Sequence, residues 1–318
     1  MFLLRKPILA VSNSAAVKKL VVKLPLTRSV VQRFVAGEAT SDATRAVARL
    51  RASGLQVTLD HLGEYTTSPA QAQATVDAYL ELIGALAEAG DVAGAEVSVK
   101  LSAVGQSLAG PGAPITGQAQ GIALANARKI ADAAYAVGAR MTLDMEDHTT
   151  IDSTLEILQE IRRDHPDVGV AIQAMLHRTP KDLESLVGPG SRVRLVKGAY
   201  DEPETVAYRD PQQINLAYVR ALRQLMAGEG YPMIGSHDPR MIEIGQRLAT
   251  DHQRSADSYE HQFLFGIRTD EQRRLADAGR TVRVYVPYGT DWYGYFTRRL
   301  AERPANLMFF LRAMTSRG

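Results

Sequence analysis

The chain contains no cysteine. That absence excludes disulfides, thiolate nucleophiles, iron–sulfur clusters and cysteine-bound zinc, and it suits a reducing compartment. No apolar run reaches the roughly 18 residues that a membrane-spanning helix needs. Net charge is only +2, so no excess of one sign calls for a nucleic-acid partner. Neither Gly-x-Gly-x-x-Gly nor a Walker sequence occurs. The stretch richest in proline and glycine, 109–117, has the composition of a surface loop.

What is present is globular. With 45% apolar and 23% charged residues over 318 positions, the chain can form one large domain or two small ones. Charge is uneven at the start. Residues 1–37 carry Arg5, Lys6, Lys18, Lys19, Lys23, Arg28 and Arg33 and no acid. Two readings stand: a solvated basic flank, or peripheral attachment to anionic lipid.

After residue 55, strand-like runs alternate with helical patterns. The strands are expected at 57–62, 96–101, 140–145, 169–176, 193–199, 232–236, 260–265 and 281–286. Helical patterns fill the intervals at 69–90, 117–138, 149–164, 180–187, 211–229, 239–251 and 270–279. Ser68-Pro69, Asp210-Pro211 and Asp238-Pro239 each place a capping residue before a proline at the first helical position. Eight such units predict an α/β fold, a (βα)8 TIM-type barrel, because parallel strands need helical crossovers. Residues 1–54 are expected to form a helical segment, with helices near 29–35 and 42–51, packing on a barrel of residues 55–318. A final helix ends near Arg303, before Pro304, and another follows at 305–314.

Side chains alternate faces along a strand. Thr58 and Asp60 share one face; so do Glu96, Ser98, Lys100 and Ser102, and Thr142, Asp144 and Glu146. The opposite, apolar faces must meet the helices, so the polar faces point into the barrel. Their charges crowd toward the C-terminal ends, where barrel active sites lie. Asp60, Lys100, Asp144, Gln173, Arg194, Lys197, His237 and Tyr285 converge on that rim. The run Val193–Tyr200 is the sharpest case, since Arg194 and Lys197 interrupt an otherwise apolar strand and call for an anionic or accepting partner. Arg194 points inward; Lys197 has the opposite parity and reads as an anchor at the strand's exit.

Blander readings exist for individual residues. Lys100 and Asp144 suit a buried ion pair, and His237 a loop donor. The cluster Asp144-Met145-Glu146-Asp147-His148 does not read as a metal site, because contiguous acids on a strand cannot all face one ion. Asp147-His148-Thr149 reads as the cap of the next helix. In the last helix Tyr295, Arg298, Arg299 and Glu302 fall at i, i+3, i+4 and i+7, one face filled with polar groups. It is either a solvated face with an Arg298–Glu302 pair or a cover over the barrel mouth whose arginines grip a carboxylate.

Six segments carry a resemblance. They are Arg33-Phe34-Val35-Ala36-Gly37-Glu38, Asp60-His61-Leu62-Gly63-Glu64, Val97-Ser98-Val99-Lys100-Leu101-Ser102, Thr142-Leu143-Asp144-Met145-Glu146, Arg194-Leu195-Val196-Lys197-Gly198-Ala199-Tyr200 and Tyr295-Phe296-Thr297-Arg298-Arg299-Leu300. In this order the chain resembles the proline dehydrogenase family, in its short monofunctional bacterial type, over about residues 28–312. Met175, where the family often has tyrosine, and Ser236, where threonine is common, depart from its pattern.

The resemblance implies FAD bound non-covalently at the strand C-termini under the final helix. It implies oxidation of L-proline to Δ1-pyrroline-5-carboxylate, with electrons passed to a membrane quinone. Lys100, Arg298 and Arg299 would clamp the proline carboxylate, supported by Asp144. Tyr285 would pack on the proline ring, with Tyr288 also in the specificity pocket. Arg194 would sit beside flavin N5, and Gln173 and Met145 would contact the isoalloxazine. Lys197, Gly198 and Ala199 would hold the ribityl-diphosphate region, and Ser236 and His237 would also bind FAD. Glu64 would pair with Arg298 as a gate. No second dehydrogenase domain follows, so a separate pyrroline-5-carboxylate dehydrogenase is expected. A cytoplasmic protein working at the inner face of the membrane is the matching location. The residues alone leave a rival open, a barrel aldolase that forms a Schiff base through Lys100 or Lys197. A second rival is a non-catalytic barrel that binds an anion.

Overall fold

The computed structural model describes residues 31–296. Eight parallel strands close a barrel in chain order. They are β1 (Gln56–His61), β2 (Ala95–Lys100), β3 (Arg140–Asp144), β4 (Gly169–Gln173), β5 (Arg192–Val196), β6 (Tyr231–Gly235), β7 (Glu260–Leu264) and β8 (Val282–Tyr288). β8 closes on β1, pairing Thr58 with Tyr285 and Asp60 with Pro287. Helix α1 (Thr40–Ala52) precedes the barrel. Then α2 (Pro69–Glu88), α3 (Gly117–Ala136), α4 (Ile151–Ile161), α5 (Thr179–Glu184), α6 (Pro211–Ala227), α7 (Pro239–Asp251) and α8 (Thr269–Asp277) follow β1 to β7 in turn. The eight-unit barrel expected from the alternation is therefore present.

The helix starts follow their local chemistry. Ser68 Oγ accepts from Gln71 N, the Asp210 carboxylate from Gln212 N and Gln213 N, and Asp238 from Arg240 N. Each such cap stabilises its helix by about 1 kcal/mol. Three strands end two or more residues from expectation. The runs 169–176 and 193–199 stop pairing as strands at Gln173 and Val196, and β8 runs on to Tyr288. Past Gln173 the chain stays apolar but turns, because Gln173 O accepts from Leu176 N and Thr179 Oγ1. Hydropathy cannot register such a turn.

Strand parity sorts the side chains into two shells. Val57, Leu59, Val97, Val99, Met141, Leu143, Val170, Val193, Leu195, Val282, Val284 and Val286 are buried outward, under the helices. This shell is the hydrophobic core proper. The inward shell is polar: Thr58, Glu96, Ser98, Thr142, Arg192, Arg194, Glu260, Gln262 and Arg283 are all buried as well. Long arginines therefore fill space that branched apolar residues usually occupy, and below Gln173 β4 contributes only Gly169 and Ala171 there. A Cβ on Gly169 would lie 2.3 Å from Thr142 Oγ1.

A second, smaller apolar cluster sits apart from this core. Val31, Phe34 and Val35 pack with Leu62, Trp292, Tyr293, Tyr295 and Phe296. Residues 292–296 begin a helix after β8. Ala36 N donates to Pro287 O at 2.9 Å, Gly289 N to Gly37 O at 2.9 Å, and Trp292 Nε1 to Glu38 Oε1 at 3.0 Å. The segment before α1 is thus tied to the connection that leaves β8. The basic flank up to Arg28, Arg298, Arg299, Glu302 and the helix expected at 305–314 lie outside the described residues. Among the described residues no helix is long and apolar enough to cross a membrane.

Candidate active site

A cavity of about 460 Å³ opens at the C-terminal ends of the strands. All eight rim residues expected from the sequence line it: Asp60, Lys100, Asp144, Gln173, Arg194, Lys197, His237 and Tyr285. Met145, Gly198, Ala199, Ser236 and Glu64 line it too. Its size lies within the range of small-molecule sites, and its wall mixes apolar surface with a few fixed polar groups.

One end of the cavity is an ion network. Lys100 Nζ lies 2.8 Å from both oxygens of Asp60, and 3.4 Å from Asp144 Oδ2 and from Tyr285 Oη. Tyr285 Oη donates to Asp144 Oδ2 at 2.7 Å. Arg194 Nη1 donates to Asp144 Oδ1 at 2.6 Å and to Ser98 Oγ at 2.8 Å. The guanidinium also lies over the Tyr285 ring, 5.3 Å from its centre. Burial pushes the Asp144 carboxyl up, but Lys100 and Arg194 outweigh it and the pKa falls below the ordinary value. Asp60 goes the other way, because desolvation there exceeds the pull of Lys100. Burial works against the Lys100 ammonium, yet Asp60 and Asp144 raise its pKa well above the usual lysine value. Lys100 is therefore a held cation and a poor amine nucleophile.

The other end is more open. Lys197 Nζ lies 2.9 Å from Asp238 Oδ2 and 2.6 Å from Asn215 Oδ1. Lys197 follows β5 rather than ending it, and so leaves the strand's alternation. Gly198 has φ +118°, and a Cβ there would lie 2.3 Å from Met175 Sδ. Only glycine meets both demands, backbone and space. His237 Nε2 accepts from Leu264 N at 3.0 Å, and Ser236 Oγ accepts from Asp238 N at 3.2 Å. Gln173 Nε2 donates to Glu146 O at 2.7 Å, joining the ends of β3 and β4.

The acidic run after β3 disperses. Glu146 turns to Ser102, accepting from its N at 3.0 Å and its Oγ at 2.5 Å. Asp147 accepts from Tyr65 Oη at 3.0 Å, and His148 pairs with Glu202. Asp147 also accepts from Thr149 N at 2.9 Å, a turn placed just ahead of α4. The expected cap is thus a turn before the helix, whose first residue is Ile151. Burial raises the Glu146 pKa to about 7, against the opposing pull of the Ser102 bonds.

A sequence model of the proline dehydrogenase family matches residues 43–312. This chain belongs to the proline dehydrogenase family. It is 39% identical to Proline dehydrogenase of Deinococcus radiodurans, covering 98% of each chain. It is 36% identical to Proline dehydrogenase 1 of Bacillus subtilis strain 168, covering 91% of each. The solved structure of proline utilization A from Bdellovibrio bacteriovorus, inactivated by N-propargylglycine, superposes with a TM-score of 0.77 at 23% identity. That match covers 91% of this chain and 34% of the larger one, and it shows the shared fold.

Within this family member one expectation fails. Tyr288 does not line the cavity. Three residues from Tyr285, it has the opposite parity, is buried among the helices and meets His61 edge-on at 5.2 Å. The sequence motifs also passed over Arg192, Glu260 and Arg283, which fill the barrel beneath the cavity, and Gln262, which lines it beside Arg194. Their signal was present: each sits two residues from another inward group on its own strand. Phe263 and Leu264 line the cavity as well, and nothing in their residue type marks them.

Proposed function

We propose that the protein oxidises L-proline to Δ1-pyrroline-5-carboxylate, using non-covalently bound FAD as the hydride acceptor and a membrane quinone to reoxidise it. The observation that carries this reading is the cavity itself. One end holds a lysine, an arginine and a tyrosine around two carboxylates, and the other presents Lys197 beside a bare glycine backbone. The donor set suits a planar ring with an anionic tail. Arg194 would face the polar edge of the isoalloxazine, with Gln173 and Met145 along it. Lys197, Gly198, Ala199, Ser236 and His237 would hold the ribityl-diphosphate region.

FAD supplies the two-electron acceptor; the chain supplies alignment. Lys100, with Arg298 and Arg299, binds the proline carboxylate and so orients the ring. Asp144 fixes Lys100, Arg194 and Tyr285 through one carboxylate, and Tyr285 shapes the pocket wall. Oxidation removes a hydride from the ring carbon beside nitrogen and one proton from the nitrogen, so no nucleophile is required. Glu64 at the cavity wall is assigned to pair with Arg298 over bound substrate. The aldolase reading loses support because Lys100 is clamped between carboxylates and Lys197 is paired with Asp238.

The deciding experiment is a visible spectrum before and after anaerobic proline. A flavin spectrum that bleaches supports the proposal. A colourless protein trapped by borohydride on a carbonyl substrate overturns it. Arg298→Ala or Arg299→Ala should raise the KM for proline at least tenfold, equivalent to about 1.4 kcal/mol, with FAD affinity changed less than twofold. An unchanged KM removes the clamp assignment.

A further inference from the structure

Arg194 reaches the cavity from β5 with most of its donors committed. Nε donates to Gln262 Oε1 at 2.6 Å, Nη1 to Ser98 Oγ and Asp144 Oδ1, and Nη2 to Glu96 Oε1 at 3.0 Å. A guanidinium has five N–H groups, so one remains for a ligand. The Gln262 contact has a forced geometry. Its Nε2 donates to Glu260 Oε1 at 2.5 Å, while its oxygen accepts from Arg194. An arginine N–H only donates and an ionised carboxylate only accepts, so the amide between them has one allowed orientation.

Glu260 is itself fixed from below. Arg283 Nε and Nη2 donate to its two oxygens at 2.7 and 3.1 Å, a bidentate pair. Arg283 Nη1 in turn donates to Val57 O and Gly94 O, both at 2.8 Å, at the closed end of the barrel. The chain of contacts thus runs from backbone carbonyls at the base to a guanidinium at the mouth. Glu260 and Arg283 do not line the cavity, and Gln262 lines it beside Arg194.

We propose that Glu260 and Gln262 are positioning residues: with Arg283 they lock the Arg194 guanidinium so that its remaining N–H faces the cavity, and they thereby set the redox balance of the bound isoalloxazine. This rests on the FAD reading above. A fixed cation beside the ring stabilises its reduced, negatively charged form, and a cation free to swing stabilises it less.

The test is an electrochemical titration of the holoenzyme, without proline, on Gln262→Leu, Glu260→Gln and the double variant. Gln262→Leu should shift the flavin equilibrium about tenfold toward the oxidised form, about 30 mV for a two-electron couple. Its kcat should fall about tenfold with the KM for proline within twofold. Glu260→Gln should shift in the same direction by less. The double variant should shift no further than Gln262→Leu, since the remote effect passes through Gln262. Additive shifts, or a lowered Tm with an unmoved potential, overturn the proposal. Where Glu260→Gln does not fold, Gln262→Leu decides alone, because it leaves every charge in place. A wild-type protein without flavin defeats both this inference and the proposed function; a normal wild type with unmoved variants defeats only the inference.

Discussion

At the base of the barrel, Arg283 and Glu260 are 1% and 0% exposed and make a bidentate pair within a closed set of contacts. At the mouth, the Lys100 and Asp144 side chains are 11% and 13% exposed and face an open cavity. Both regions use the same materials. Four carboxylates (Asp60, Glu96, Asp144, Glu260) and four cations (Lys100, Arg192, Arg194, Arg283) alternate through the interior. The difference lies in spare capacity that faces the cavity. At the base burial opposes ionisation of Glu96, but Arg283, Arg192 and Arg194 bring its pKa down to about 2. At the mouth Asp60 is pushed up, and Arg194 keeps one N–H unspent. A buried ion network is thus site rather than scaffold where a member with a bond to offer faces the cavity, as Arg194 does and Arg192, whose buried Nε has no partner among the described residues, does not.

The largest effect that would break this contrast is at the base. Arg283→Met leaves Glu260 buried without its main partner and is expected to cost about 3–5 kcal/mol in urea unfolding. A loss below 1 kcal/mol would mean that the base is no more closed than the mouth. Lys100→Met should cost less, about 1–2 kcal/mol, because Asp60 can take up a proton and become neutral. The same variant should raise the KM for proline at least tenfold, which Arg283→Met does not do directly.

Glu146 sharpens the contrast by pH. It is buried at the mouth with no salt-bridge cation among the described residues, and its pKa is about 7 against an ordinary 4.5. The folded state therefore holds a proton that the unfolded chain has already released between these values. Its contribution is full below pH 4.5 and is lost as pH rises through 7. Relative to Glu146→Gln, the wild type should lose about 3 kcal/mol of stability between pH 5 and pH 8. A flat difference would show that Glu146 is solvated in the folded protein.

The smallest stability effect is expected at the open end. The Lys197–Asp238 pair is partly exposed, so Lys197→Gln should change stability by about 0–1 kcal/mol. FAD affinity should nevertheless fall at least tenfold in a titration of apoprotein. Equal affinity would remove Lys197 from the proposed cofactor site and leave it as a surface ion pair.

Much of this was legible before any coordinates. The alternation of strands and helices, the three proline-preceded caps and the inward facing of Asp60, Lys100, Asp144 and Arg194 follow from periodicity, which is local. The same rule, applied strictly, excludes Tyr288 and includes Arg192, Gln262 and Arg283. The ends of β4 and β5 were not legible, because Ala174-Met175-Leu176 and Lys197-Gly198-Ala199 stay strand-like in composition while the backbone turns away.

By itself, the sequence determined the barrel, the polar inner face and the family. Each rests on a period of two, a helix cap or a motif read along the chain. Only the tertiary structure decided which inward charges meet. Arg194 and Glu96 lie 98 residues apart, and Arg283 bonds Val57 across 226. Those pairings depend on strand register and on the closure of β8 against β1. The fold also brings Arg194 of β5 onto Gln262 of β7, whose amide then has a single orientation between that donor and the Glu260 acceptor on its own strand.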